Sequence, residues 1–372
     1  MPHALVCPNP FKGTLSAAQS AEALARGLRR AGWSAETLAL ADGGPGTLEA
    51  LRRAGAGSPR RIWVRDPLGR KRRAQWLQGG NGDAFIESAQ AIGLEWCPLE
   101  RRQATAATSR GLGELLLAAR DAGARRIWVG LGGSATSDGG VGCAQALGWS
   151  FTDAFGAELP SGGGALERLA RIRRPRTNPM KGVRVRVLCD VGNPLWGLNG
   201  AARVYAPQKG ASPQEVALLE QGLKRLARHA SWAEAQAPGA GAAGGLGFGL
   251  EAFVGARREP GARALLDWVG FEGRARRADW IVTGEGCLDR QTLAGKLPAV
   301  VAERARILGR PCAVFAGALE LPPATLRKAG WTAWRSAPAL RPKAAALALE
   351  KAAEAWGREC SGPALVGIPK MS

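Results

Sequence analysis

Glycines, small hydroxyls, isolated carboxylates and lysines recur together in five short segments of this chain: Asn9–Thr14, Asp42–Gly46, Gly132–Gly140, Asp190–Asn193 and Thr283–Lys296. That mixture suits oxyanions, and phosphates above all. Glycine lets backbone N–H groups approach, a following helix N-terminus adds partial positive charge, and lysine supplies a point charge. The sharpest segment is Gly132-Gly133-Ser134-Ala135-Thr136-Ser137-Asp138-Gly139-Gly140, where several N–H donors and three hydroxyls open onto an expected helix. A tight strand–helix turn capped by Asp138 would use the same residues, so both readings stand.

The standard phosphate signatures are missing. The residue five before Gly295 is Arg290, which removes the nucleoside-triphosphate P-loop, and neither HRD nor DFG occurs. Gly245-Leu246-Gly247-Phe248-Gly249-Leu250 fails the dinucleotide fingerprint at its last position. His3 and His229 are the only histidines, one near the terminus and one in a basic helical stretch, so a nucleophile–histidine triad is not expected. Proton transfer then falls to carboxylates or lysine. Asp190 is well placed for it, because the apolar run Val187-Leu188-Cys189 ends on that acid; an Asx turn is the competing role.

The elements that must carry these segments read as a βα rhythm at both ends of the chain. His3 to Cys7 is an apolar strand. A helix follows, with Ser16 and Gln19 at capping-box spacing, Ala21, Leu24, Ala25 and Leu28 on one face, and Gly32 at its end. Thr37 to Ala41 reads as a second strand and Thr47 to Arg53 as a short helix. Ile62–Val64 and Ala74–Leu77 flank Asp66-Pro67-Leu68-Gly69 as a hairpin. Strands at 84–86, 127–131 and 183–189 and helices over 112–120 and 141–147 complete the middle of the chain. Ser212-Pro213-Gln214-Glu215 carries an N-cap, an N1 proline and a capping-box acid. Residues 238–249, PGAGAAGGLGFG, fit a close-packed or ligand-facing loop better than a linker. After 280 the rhythm returns, with strands at 280–282 and 313–315 and a helix over 298–308.

The expected fold class is therefore α/β: a Rossmann-like parallel domain built from both chain ends (1–60 and 275–372) plus an inserted mixed α/β domain (61–274). A length of 372 residues with 46% hydrophobic and 22% charged residues is that of a folding, globular chain rather than a disordered one. Lys+Arg 51 against Asp+Glu 31 leaves +20, which favours a polyanionic or phosphorylated partner, yet the arginines lie in scattered pairs rather than one block. Seven cysteines form no CxxC pattern and sit mainly in apolar runs. A reducing, cytoplasmic setting is expected, and no apolar stretch is long enough to suggest a membrane span.

The motifs resemble one family. Pro8-Asn9-Pro10-Phe11-Lys12-Gly13-Thr14-Leu15-Ser16-Ala17, Ala41-Asp42-Gly43-Gly44, Gly130–Thr136 with Asp138-Gly139-Gly140, and Cys189-Asp190-Val191 with Asn193-Pro194-Leu195 are similar to blocks of the bacterial glycerate kinases. So are Pro207-Gln208-Lys209-Gly210-Ala211, the 238–247 segment, Thr283-Gly284-Glu285-Gly286, Asp289 with Gln291-Thr292, and Gly295-Lys296. The resemblance runs in order from residue 5 to about residue 320. It implies ATP-dependent phosphorylation of D-glycerate with Mg²⁺, most often at the 2-hydroxyl, by a two-domain protein with its site between domains. Three blocks depart from the pattern: Asn9-Pro10 replaces Asp-Ser, Pro45 replaces an acid, and Ala294 replaces a histidine. Each removes a polar group.

On this reading Asp190 is the base, with Asp42 its competitor, and Lys12 neutralises charge. Gly132, Gly133, Ser134, Thr136, Asp138, Thr283, Gly284, Glu285 and Lys296 are expected to bind nucleotide. Lys12, Asn193, Lys209, Gln291 and Thr292 are expected to bind substrate, and Asp289 or Glu285 the metal. The expected partners are glycerate and ATP, with no membrane; a homodimer is left open. Two alternatives remain: a kinase of the 3-hydroxyl or of another hydroxy acid, and a basic nucleic-acid-binding protein on a retired kinase fold, for which the 13 Trp are a motive.

Overall fold

The computed structural model describes residues 1–361 apart from Lys12, Ala41, Asp42, Leu99, Arg101, Asp190, Gln291 and Leu340. Its strands, in chain order, are β1 (His3–Val6), β2 (Ser34–Thr37), β3 (Ser58–Arg65), β4 (Lys71–Gln78), β5 (Asp83–Glu87), β6 (Arg126–Gly130), β7 (Ser150–Thr152), β8 (Arg171–Arg173), β9 (Arg184–Leu188), β10 (Arg257–Glu259), β11 (Trp280–Leu288), β12 (Cys312–Leu319) and β13 (Ala333–Ser336). The chain divides into two compact units. A terminal unit comprises 1–42, 49–54 and 262–372, and an inserted unit comprises 43–48 and 55–261. The α/β class expected from the sequence is what is found.

In the terminal unit a parallel sheet has the order β13-β12-β11-β1-β2. The chain enters at β1, moves outward to β2, then restarts on the other side of β1 at β11. This makes the carboxyl ends of β1 and β11 a topological switch point, the place where open α/β sheets bind ligands. Helices Ala17–Arg30 and Pro342–Ser361 pack together on this sheet. Gly27 permits the close crossing, since a Cβ there would lie 2.2 Å from the Glu350 carbonyl oxygen. The buried Glu350 carboxylate pairs with Arg26 at 2.9 Å and with Arg30. Trp356 stacks edge-on to Trp280 and Phe315 in the same core.

The helix Ala17–Arg30 starts on the expected capping box, with Ser16 Oγ accepting from Gln19 N at 3.2 Å and Gln19 Oε1 from Ser16 N at 2.9 Å. Two strands differ from expectation. β2 lies upstream of 37–41, because its ladder is fixed by β1, from His3 opposite Ser34 to Val6 opposite Thr37. β11 continues to Leu288 instead of ending at 282, because β12 pairs it as far as Leu319. Glu285 is thereby a strand residue, not a loop residue.

The inserted unit carries a sheet in the order β10-β9-β6-β5-β4-β3, parallel from β10 to β5 and antiparallel at β4 and β3. The expected hairpin is β3–β4, with Asp66 Oδ1 accepting from Leu68 N and Arg70 N, each at 2.9 Å, to close the turn. Helix Arg110–Asp121 covers one side through Leu112, Leu115 and Leu116. A second core surrounds helix Pro213–Ala230, which begins on the expected Ser212–Glu215 box. The small β7–β8 sheet and β10 were not foreseen; each strand has three residues, too few for a periodic signal. Among the described residues no helix is long and apolar enough to cross a membrane, and no disulfide is found.

Candidate active site

At the switch point of the terminal unit lies a cavity of roughly 390 Å³, lined by Asn9, Phe11 and Thr14 after β1, by Glu285, Gly286 and Cys287 on β11, and by Asp289 and Lys296, with Gly317 and three alanines completing the wall. The two strand ends are stitched together around it. Cys7 N donates to Val282 O at 2.7 Å and Asn9 N to Gly284 O at 2.8 Å, while the Thr283 hydroxyl donates to Cys7 O at 2.8 Å. Gly284 is required here, because a Cβ would stand 2.4 Å from the Phe315 carbonyl oxygen. Thr283 and Gly284, expected to touch nucleotide, thus join β11 to its neighbours, and neither lines the cavity. Asn9 is 3% exposed, and its Oδ1 has no hydrogen-bond partner among the described residues.

The acids of this cavity are organised by Thr292. Its buried hydroxyl donates to Glu285 Oε1 at 2.5 Å and lies 3.3 Å from Asp289 Oδ1, and its backbone N–H donates to Asp289 Oδ1 at 3.0 Å. Lys296 Nζ lies 3.6 Å from the same Asp289 oxygen. Lys296 is also the N-cap of helix Leu297–Ile307, with Pro298 in its first turn. An ammonium and the positive end of a helix dipole therefore coincide, the arrangement that attracts an anion. Two carboxylates held through one hydroxyl match the needs of Mg²⁺, a hard cation that takes one or two carboxylates and retains water. No group of three or more acidic, His or Cys side chains suited to a metal occurs among the described residues.

In the inserted unit the 132–140 segment follows β6 and is buried from Ser134 to Gly140, with Gly132 half-buried and Gly133 exposed. Gly132 and Gly133 pack against Gly44 and Pro45; a Cβ on Gly132 would meet Gly44 Cα at 2.2 Å. Ala135 N donates to Ile92 O at 2.8 Å, and Leu94 N donates to Gly133 O at 2.7 Å. Asp138 is 1% exposed and accepts four hydrogen bonds. Its Oδ2 takes Ser109 N at 2.8 Å, Ser109 Oγ at 2.9 Å and Gly142 N at 3.1 Å; Oδ1 takes Gly140 N at 3.1 Å. Burial pushes its pKa up and these donors partly offset the shift. Asp138 therefore braces the starts of helices Arg110–Asp121 and Val141–Ala146, the capping use that the sequence left open.

The glycine-rich stretch at 238–249 proves close-packed. Ala243, Gly244 and Gly245 take consecutive left-handed conformations at the start of helix Ala242–Val254. A Cβ on Gly244 would lie 2.0 Å from Thr136 O, so glycine is needed both for φ +71° and for the approach. Lys209, expected to bind substrate, is 3% exposed; its Nζ donates to Thr136 O at 2.5 Å and lies 3.5 Å from Ser134 Oγ. Desolvation lowers its pKa to about 7, with the Asp138 charge acting in the opposite sense.

Asn193 is half-buried, accepts from Tyr205 Oη at 2.7 Å and donates to Asn199 O at 2.8 Å. Asp190, Asp42, Lys12 and Gln291 lie outside the described residues. One acid was overlooked. Glu87 ends β5 after Ala84-Phe85-Ile86, the same apolar-strand-then-acid signal that singled out Asp190. It is 3% exposed and its Oε2 accepts Gly46 N at 3.2 Å and Leu48 N at 3.0 Å. Burial raises its pKa against those two N–H groups.

Comparison with known proteins agrees across nearly the whole chain. The profile of the glycerate kinase family matches residues 4–359. A glycerate 2-kinase of Escherichia coli K12 is 42% identical over 323 residues, 85% of each chain, and a glycerate kinase of Halalkalibacterium halodurans is 41% identical over the same length and share. A crystal structure provisionally named glycerate kinase 2, from Salmonella typhimurium LT2, superposes with a TM-score of 0.81 at 36% identity, covering 97% of this chain and 98% of that one. The strand-end cavity with its paired acids and helix-capping lysine thus belongs to a kinase, and the chain is a member of the glycerate kinase family.

Proposed function

We propose that this chain transfers the terminal phosphoryl group of ATP to the 2-hydroxyl of D-glycerate. The observation that carries the reading is the meeting of Glu285, Asp289 and Lys296 around one cavity at the β1–β11 switch point. It is joined by relatives named for glycerate phosphorylation.

Phosphoryl transfer asks little covalent chemistry of a protein; positioning and neutralisation of charge do most of the work. Glu285 and Asp289 would hold Mg²⁺, which when bound supplies charge for the phosphate oxygens. Lys296, at the positive end of its helix, orients an anionic group of nucleotide or acid, and Lys12 shares that task. Backbone N–H groups of 132–138 cradle phosphate, apart from Ala135 N, which is bonded to Ile92 O, and Asn193 contributes on the acid side. Asp190 takes the proton from the attacking hydroxyl, with Asp42 the other candidate for that step.

A coupled assay of ADP release over a panel of hydroxy acids tests the reaction, and phosphorus NMR of the product distinguishes the 2- from the 3-phosphate. Glycerate-dependent ADP release with a 2-phosphoglycerate product is expected; release only with another hydroxy acid, or none at all, overturns the assignment. Replacing Asp190 by Asn should lower kcat by about 10²-fold or more, the low end for a lost general base. Near-normal turnover in that variant removes Asp190 from the role.

A further inference from the structure

Lys209 is an unusual use of a lysine. It sits on a single 3₁₀ turn, Pro207–Lys209, with its ammonium buried and, among the described residues, no carboxylate in hydrogen-bond contact. Its contacts go to one stretch of backbone and side chain, Thr136 O at 2.5 Å and Ser134 Oγ at 3.5 Å. The charged groups around it are few. Asp138 acts on it from the 132–140 segment. Arg102 reaches the same turn and donates to Gln208 O at 2.7 Å. Arg203, on the preceding helix Ala201–Tyr205, is paired instead with Glu220 at 3.9 Å. Burying an ammonium without a matched partner works against stability, so its retention calls for a different account.

We infer that Lys209 is a positioning residue for phosphoryl binding: it ties down Ser134 and Thr136 from within the fold and supplies the buried countercharge to the anion that the loop receives. The inference rests on the proposed role of 132–138 as a phosphate cradle. It assigns Lys209 to the loop rather than to the acid substrate. A buried ammonium in this place has a further effect. An anion arriving at the loop favours the charged form, so a lysine that is partly neutral in the free protein takes up a proton as the anion binds. With its pKa near 7, that uptake falls above neutrality, and affinity must weaken as pH rises from there.

The test is calorimetric titration of the full-length protein with Mg²⁺ and ADP between pH 7.5 and 8.5, in two buffers of different ionisation enthalpy. Proton uptake on binding is expected from the unmodified protein. Lys209→Met should weaken ADP about tenfold or more, as for the loss of a charged hydrogen bond, and abolish the uptake. Lys209→Arg, charged at every pH used, should recover much of the affinity without the uptake. In steady state the loss should fall on KM for nucleotide and leave KM for glycerate little changed. A Lys209→Met protein that binds ADP as tightly as the original, or a Lys209→Arg protein that still takes up the proton, overturns the inference. Should neither variant fold, absence of uptake by the unmodified protein does so alone. ADP binding without linkage strikes Lys209 only; no ADP binding by the unmodified protein strikes the cradle reading as well.

Discussion

The polar groups at the end of β11 and those that follow β6 are put to opposite uses. Around β11, Glu285, Asp289 and Lys296 line an open cavity, and their contacts with one another run through a single threonine hydroxyl and a 3.6 Å ion pair. After β6, Asp138 has four donors on its two oxygens and Lys209 is sealed against Thr136 O. Buried polar groups are tolerable only when hydrogen-bonded, so the second set is committed to holding backbone in place. Groups that line a cavity can still meet a ligand. The contrast teaches that residue type alone does not separate chemistry from scaffolding in a loop of this composition; whether the side chain lines a cavity does.

Substitutions can break that contrast. Replacing Asp138 by Ala strips four donors of their acceptor and should cost about 3 kcal/mol or more, lowering the midpoint of urea unfolding in proportion. An unchanged midpoint would deny Asp138 its bracing role. Glu285→Gln should do the reverse, lowering kcat by about 10²-fold, near 2.7 kcal/mol of barrier, while thermal stability holds. A large fall in Tm with normal kcat would move Glu285 into the scaffold class. Gly244→Ala should cost about 1–3 kcal/mol, from a Cβ driven toward Thr136 O and a φ of +71°. Its signature is a raised KM for nucleotide, read in initial-rate assays, because the crowded carbonyl is the one that Lys209 holds.

A further effect is on pH. Lys209 binds its proton less tightly folded than unfolded, so the folded state holds fewer protons between about 7 and the ordinary lysine value of 10.5. Stability contributed by this group therefore rises with pH through that window and is lowest below it. Urea unfolding at a series of pH values should show that slope in the unmodified protein and lose it in Lys209→Met.

Much of this was legible in the amino-acid order. Both capping boxes, the β3–β4 hairpin and the βα rhythm at the two ends rest on local spacing, and local spacing survives folding. Glu285, Asp289 and Lys296 were singled out from one loop of the sequence, and they line one cavity. Depth was not legible. Nothing near Lys209 in the chain marks it as buried, because Ser134 and Thr136, which cover it, are more than seventy positions away. Glu87 carried the same local signal as Asp190 and was passed over; only its use was hidden, since its partners Gly46 and Leu48 belong to a segment some forty residues earlier. The left-handed turn at 243–245 is imposed by its approach to Thr136, and composition could register only that the stretch was rich in glycine.

The pairing of β1 with β11 joins Ala4 to Trp280. During synthesis β1 and β2 are made well before β11, β12 and β13 and cannot complete their sheet until those follow. At about 5–20 residues per second that interval lasts on the order of 10–60 s, with Ala4, Leu5 and Val6 lacking their eventual cover. The middle of the chain has all six strands of its own sheet by then. The piece made earlier is thus the last to be finished, and the newborn polypeptide must keep a short greasy strand in waiting while its interior matures.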